Sequence, residues 1–205
     1  APSQEIYAEA RKAGQKKKVL VSMGSVPASG GYYISSPAAK IFANPGTLTG
    51  SIGVIMEIPN IEGLMSKIGV KTEVIKSGRN KDMGSAFRSL KPEQRAILQG
   101  VMVNVHEQFI RAVAEGRKMT VEQVRLLADG RIYTGEQAVR NGLVDELGTL
   151  DDTIRAAAKL AGINGEPEVV SNRNKFSVFD LLKGKIPQQI ADLVPTVAIK
   201  YLYLP

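Results

Sequence analysis

KVLVSMGSVPASGGYYIS, Lys18 to Ser35, is the stretch on which the reading of this chain turns. Lys18 to Met23 is a short apolar strand. A loop follows, and Gly30 to Ser36 reads as a helix that packs on the strand and ends before Pro37. A strand feeding a helix in this way is the building step of an α/β fold. The loop is made of unexpected residues. A connection that only turned the chain would more often place Asn, Asp or Pro where Ser29 stands. Here a serine sits between Ala28 and the pair Gly30-Gly31, with Tyr32 and Tyr33 behind it. A hydroxyl that must be reached, beside a backbone that must be approached closely, would look like this.

Working outward, strands and helices alternate. Ile6 to Lys17 reads as a helix, and Lys40 to Ala43 is a second short strand. Thr47 to Ile58 (TLTGSIGVIMEI) is β-rich, with glycines at positions 50 and 53. Ile61 to Ile68 is helical, and Thr72 to Lys76 is expected to return to strand. Ser77 to Ser89 is a polar loop punctuated by glycine, long enough for a compact domain to suggest a function. Pro92, at a first helical turn, opens a helix to about Gly116. Its apolar stripe is Ile97, Leu98, Val101, Met102, Val105, Phe109, Ile110 and Val113. Thr120 with Gln123 and Thr134 with Gln137 are capping boxes that start two short helices. Leu143 to Leu147 is expected as a strand and Leu150 to Ala161 as a helix. Residues 1–163 form one domain in this reading. Residues 164–205 form an extension that ends in the apolar stretch TVAIKYLYLP and could pack on a neighbouring protomer.

The 205 residues suffice for one domain with a real core, and 43% hydrophobic with 23% charged residues is ordinary for a soluble protein. A formal charge of +7 would suit an anionic partner, but the cations are scattered apart from Lys16-Lys17-Lys18. No nucleic-acid-binding motif accompanies them, so nucleic acid is not expected as a partner. No run approaches the roughly 18 apolar residues of a membrane span, and no leader is evident at the start. The chain begins at Ala1, which reads as a processed product or a fragment. Without cysteine there is no thiolate nucleophile and no Cys-zinc site.

A serine hydroxyl is a poor nucleophile until a base takes its proton. The single histidine, His106, lies beside the apolar stripe of the long helix, where a structural role is the simpler reading. The other route is a lysine kept uncharged by burial or by cationic neighbours. The polar loop offers Lys76 and Lys81, although lysines in such loops are usually solvated.

Four stretches resemble one family in order: MGSVPASGGYYIS at 23–35, TLTGSIGVIME at 47–57, KSGRNKDMGSAFR at 76–88 and DGRIYTGEQAVRNGLVDELG at 129–148. The chain is similar there to bacterial signal peptide peptidase A, a Ser/Lys peptidase family with the Clp protease and crotonase fold. The resemblance runs from about Lys18 to Asp152. It implies an α/β superhelix of ββα units, with Ser29 as nucleophile, Lys81 as general base and Ser51 as the residue that orients the lysine. It implies also that the Gly30 N–H stabilises the oxyanion, helped by the partial charge of the helix start. Clp protease carries a histidine some two dozen residues after its serine. Here Gly50 to Val54 holds none, which favours the lysine.

The same resemblance implies an extended peptide substrate, added as a strand along Gly53, Val54 and Ile55. It implies remnant signal peptides as substrates, a ring-like homo-oligomer, a membrane anchor absent from this chain and a site on the outer face of the cell membrane. No cofactor is implied. A second oxyanion donor is expected on a glycine-rich turn before the first helix, a segment this chain does not include. Asp82 is awkward beside a neutral lysine and is expected to turn away, toward Arg88 or a neighbouring subunit. Two rivals stand: an acyl-CoA enzyme on the same fold, and a catalytically idle scaffold fragment.

Overall fold

The computed structural model describes residues 2–170. Helix α1 (Pro2–Lys16) leads into strand β1 (Leu20–Met23), helix α2 (Gly30–Ser35) and strands β2 (Lys40–Ala43) and β3 (Leu48–Gly50). Helices α3 (Glu62–Lys67), α4 (Pro92–Arg117) and α5 (Val121–Leu127) follow, then strand β4 (Ile132–Thr134), helix α6 (Gly135–Arg140), strand β5 (Glu146–Leu147) and helix α7 (Leu150–Leu160). Strands β1, β2 and β5 form a parallel sheet in that order, with Leu20 opposite Lys40 and Phe42 opposite Glu146. Strands β3 and β4 form a separate antiparallel pair. Parallel neighbours joined through helices are the α/β arrangement expected from the sequence.

The core lies between α2, the end of α4 and the parallel sheet. Tyr33 stacks edge-on against Tyr7 of α1 at 5.2 Å and tilts against Phe109 of α4 at 4.7 Å. Tyr32 is wholly buried, and its hydroxyl donates to the Leu143 carbonyl at 2.9 Å. Both tyrosines therefore pack the helix. Gly116 is required where α4 crosses the end of α2, since a Cβ there would lie 2.2 Å from the Ser36 carbonyl oxygen. Both expected capping boxes form, with the Gln123 and Gln137 N–H groups donating to the Thr120 and Thr134 hydroxyls.

Three expectations are corrected. Thr72 to Lys76 is not a strand: every residue from 72 to 76 is exposed, and among the described residues no strand pairs with it. Of Thr47 to Ile58, Leu48–Gly50 forms a strand and Ile55 a single bridge, because Gly50 and Ser51 both take positive φ and turn the chain out of the sheet. Of Leu143 to Leu147, only the last two residues are strand. Leu143 and Val144 instead bond back to the Ala138 carbonyl as the chain leaves α6.

The α4 stripe is half right. Phe109, Ile110 and Val113 are buried, but Ile97 and Val101 remain 43% and 41% exposed. Twenty-six residues rise about 39 Å, farther than the core beneath extends. The N-terminal part of α4 carries residues 53–91 as an arm. Among residues 53–108, Gln94 alone is buried, while Ile75 is fully exposed. The tail TVAIKYLYLP lies outside the described residues.

Candidate active site

Ser29 stands at the point where β1 has crossed the sheet and α2 begins, and it is 3% exposed. It occupies the N-cap position of α2. A serine there ordinarily adopts extended backbone and accepts a hydrogen bond from the first turn. Ser29 does neither. Its φ is 53° and its ψ −113°, and its side chain caps nothing. That backbone is outside the basins open to an L-residue and costs on the order of 1–3 kcal/mol. The hydroxyl makes no hydrogen bond among the described residues, where no fully buried side-chain oxygen or nitrogen lacks a partner. The first N–H groups of a helix have no partner inside it, and that of Gly30 finds no acceptor among the described residues.

The strained loop is held from β3. The Thr47 hydroxyl donates to the Gly24 carbonyl at 2.8 Å, and the Thr49 hydroxyl donates to the Pro27 carbonyl at 2.9 Å. Both threonines are buried. The Ser29 N–H donates to the Gly50 carbonyl at 2.8 Å. This bond brings Ser51 next to the Ser29 backbone.

Ser51 has φ 50°, and its N–H donates to the Arg131 carbonyl at 2.8 Å. Gly50, at φ +76°, is obligatory on two counts, since a Cβ would sit 2.5 Å from the Tyr133 ring. Beyond the turn, Gly53 lies against Gly130, where a Cβ would come within 3.1 Å of the Gly130 Cα. Val54 packs on the core from its edge, and Ile55 is exposed. His106 of α4 places its Nε2 3.1 Å from the Ile52 carbonyl oxygen, a structural use of the ring.

Lys81 is not joined to this cluster. It is exposed, in a run of turns from Gly78 to Ser85, and no hydrogen bond connects its amine to Ser29 or Ser51. Asp82 turns to Arg88, as expected, and also to Lys76. The Arg88 Nε donates to one carboxylate oxygen at 2.8 Å and the Lys76 Nζ to the other at 2.7 Å. Those bonds, that from Arg88 foremost, hold the Asp82 carboxyl well below its ordinary range. The charge beside Lys81 is thus neutralised within the loop by two cations. The sequence reading missed Thr47 and Thr49. Their one available signal was a Thr-x-Thr pattern on a strand entering a Gly-Ser turn.

With this geometry in place, likeness to known proteins becomes informative. The profile of peptidase family S49 matches residues 11–164, most of the chain. The chain belongs to peptidase family S49. A protein of Synechocystis sp., bearing only the provisional name of a protease, is 49% identical over 162 residues, which are 79% of this chain and 58% of that protein. Protease 4 of Salmonella typhi is 40% identical over 200 residues, 92% of this chain and 31% of its own length. The chain thus spans little more than half, or less, of these family S49 relatives. A solved membrane-bound stomatin-specific protease superposes with a TM-score of 0.44 at 14% identity, over 75% of this chain and 60% of that one. The chain thus shares its descent with the peptidases of family S49, and its α/β fold agrees with the Clp protease and crotonase class expected for it.

Proposed function

We propose that this chain carries a serine peptidase site in which Ser29 is the nucleophile, Lys81 the general base and Ser51 the residue that orients the lysine. The observation that carries the reading is the conformation of Ser29. A serine at a helix start, in a costly backbone state, with a hydroxyl that serves neither cap nor core, has its position explained by attack on a substrate. In the proposed reaction, Ser29 Oγ bonds to the peptide carbonyl carbon while its proton passes to the neutral Lys81 amine. The carbonyl oxygen becomes an oxyanion facing the free Gly30 N–H. The C–N bond then breaks, and the lysine returns the proton to the leaving amine. Water, deprotonated by the same lysine, then attacks the acyl carbon; the ester C–O bond breaks and the lysine returns the proton to Ser29 Oγ.

A lysine base works only without its proton, which calls for apolar or cationic surroundings. Within one chain Lys81 is exposed. The arm around it presents Ile55, Val74, Ile75, Phe87, Ile97 and Val101 to solvent, an apolar surface that supports a ring-like homo-oligomer covering it. The substrate is an extended peptide lying along Gly53, Val54 and Ile55. Remnant signal peptides are the substrate class we propose, with the protein anchored to the membrane and the site on its outer face. Among the described residues no helix is long and apolar enough to cross a membrane.

The test is peptide hydrolysis by the wild-type chain, Ser29→Ala, Lys81→Ala and Lys81→Arg. All three variants lose turnover, the last because guanidinium does not deprotonate usefully. A Lys81→Ala variant with wild-type turnover removes the proposed base.

A further inference from the structure

Helix α4 touches both halves of the proposed site. Near its start, the buried Gln94 donates from Nε2 to the Asn80 side-chain oxygen at 3.4 Å and accepts from Arg88 at 3.0 Å. Glu93 pairs with Arg79. These contacts hold the loop that presents Lys81. About 18 Å farther along the axis, His106 reaches the Ile52 carbonyl. A carbonyl oxygen only accepts, so Nε2 carries the proton in this contact.

The 50–52 turn is tied at three successive residues, each to a different element. The Gly50 carbonyl accepts from the Ser29 N–H, the Ser51 N–H donates to the Arg131 carbonyl, and the Ile52 carbonyl accepts from His106. Two of these ties are backbone bonds that side-chain substitution leaves in place. The third is a single imidazole. A carbonyl that loses it leaves that side of the turn held only by the buried Ile52 side chain, next to a residue, Ser51, that already sits at positive φ. The same residues lead directly into the Gly53–Ile55 edge.

We infer that His106 is a positioning residue: its N–H fixes the Ser51 turn relative to Ser29 and registers that turn, through α4, against the loop that bears Lys81. The inference rests on the proposed roles of Ser51 and Lys81. His106 takes no proton from substrate, and as imidazole or imidazolium it keeps the Nε2 donor.

The experiment compares His106→Leu, which keeps bulk and loses the donor, with His106→Gln, whose amide N–H can restore it. Turnover is measured per site titrated with a serine-directed fluorophosphonate, so that unfolded protein is not counted. The pH profile of kcat is recorded for both and for Ser51→Ala. His106→Leu is expected to lower kcat per titrated site at least tenfold. Its pH profile should shift in the same direction as that of Ser51→Ala, and His106→Gln should recover most of the rate. Full turnover per titrated site in His106→Leu overturns the inference, as does an equal loss in both His106 variants with an unshifted profile. If Ser51→Ala itself leaves rate and profile unchanged, the proposed role of Ser51 fails instead. The two failures are therefore distinguishable.

Discussion

Ser29→Gly separates strain from function. Serine at φ 53°, ψ −113° is held against a backbone preference on the order of 1–3 kcal/mol. Glycine has no such penalty, but its unfolded chain is freer, which returns roughly 0.5–1 kcal/mol. Among the described residues the Ser29 hydroxyl makes no hydrogen bond that the change would remove, and the side chain caps nothing. The balance is a gain of about 0–2.5 kcal/mol. In a chain of 205 residues this raises Tm by up to about 10 °C, at about 2–4 °C per kcal/mol. Ser29→Ala removes the same hydroxyl and keeps the Cβ, so it should stay close to wild type. Thermal unfolding followed by circular dichroism reads the difference, and peptide hydrolysis should be absent from both variants. A lower Tm for Gly than for Ala would refute the idea that this backbone is strained. A Gly variant that is both more stable and fully active would refute the functional cause of the strain.

Two further outcomes follow from the supports of the site. Thr49→Val keeps the shape and leaves the Pro27 carbonyl without its donor, at a cost of about 1–3 kcal/mol. It should lower Tm and slow acylation of Ser29 by a fluorophosphonate, and unchanged acylation would show that the loop needs no clamp. The Asp82 carboxyl is held below its ordinary value of 3.8 by Arg88 first and Lys76 second. Between that value and the lower folded one, the unfolded chain binds more protons, so the contribution is complete above about pH 4 and drains away as pH falls further. The hydrogen-exchange protection of residues 77–90, relative to the intrinsic rate at each pH, should therefore fall below about pH 4, and Asp82→Asn should show the loosened loop already at pH 7. Identical protection in the two proteins at pH 7 would contradict this.

What could be read in advance was whatever the chain encodes locally. Thr120 with Gln123 needs only one helical turn to be recognised, and the box formed. Thr149 with Asp152 is the same device with a shorter acid, and it passed unnoticed. Lys40–Ala43 was legible because its apolar residues are buried on both faces of a parallel sheet. Thr72–Lys76 has strand-like residues too, but a strand exists only when another strand accepts its bonds, and none does here. The stripe on α4 marked a helix correctly and marked its partner wrongly, since Ile97 and Val101 face outward.

The site followed the same division. Ser29 and Gly30 announced themselves by standing where a strand meets a helix. Ser51 came from the resemblance, and its approach to Ser29 rests on a bond across 21 residues of sequence, Ser29 N–H to Gly50 carbonyl, that no local pattern encodes. Thr47 and Thr49 were hidden for the same reason. Lys81 came from the resemblance too, and among the described residues it is exposed, with no bond from its amine to Ser29 or Ser51.

The most direct measurement is fluorophosphonate labelling followed by peptide mapping, on the wild-type chain and on Lys81→Ala. The account predicts an adduct on the peptide that contains Ser29 in the wild type and little or none when the amine is gone. An adduct elsewhere with Ser29 unmodified, or labelling of Ser29 at the same rate in both proteins, would contradict it.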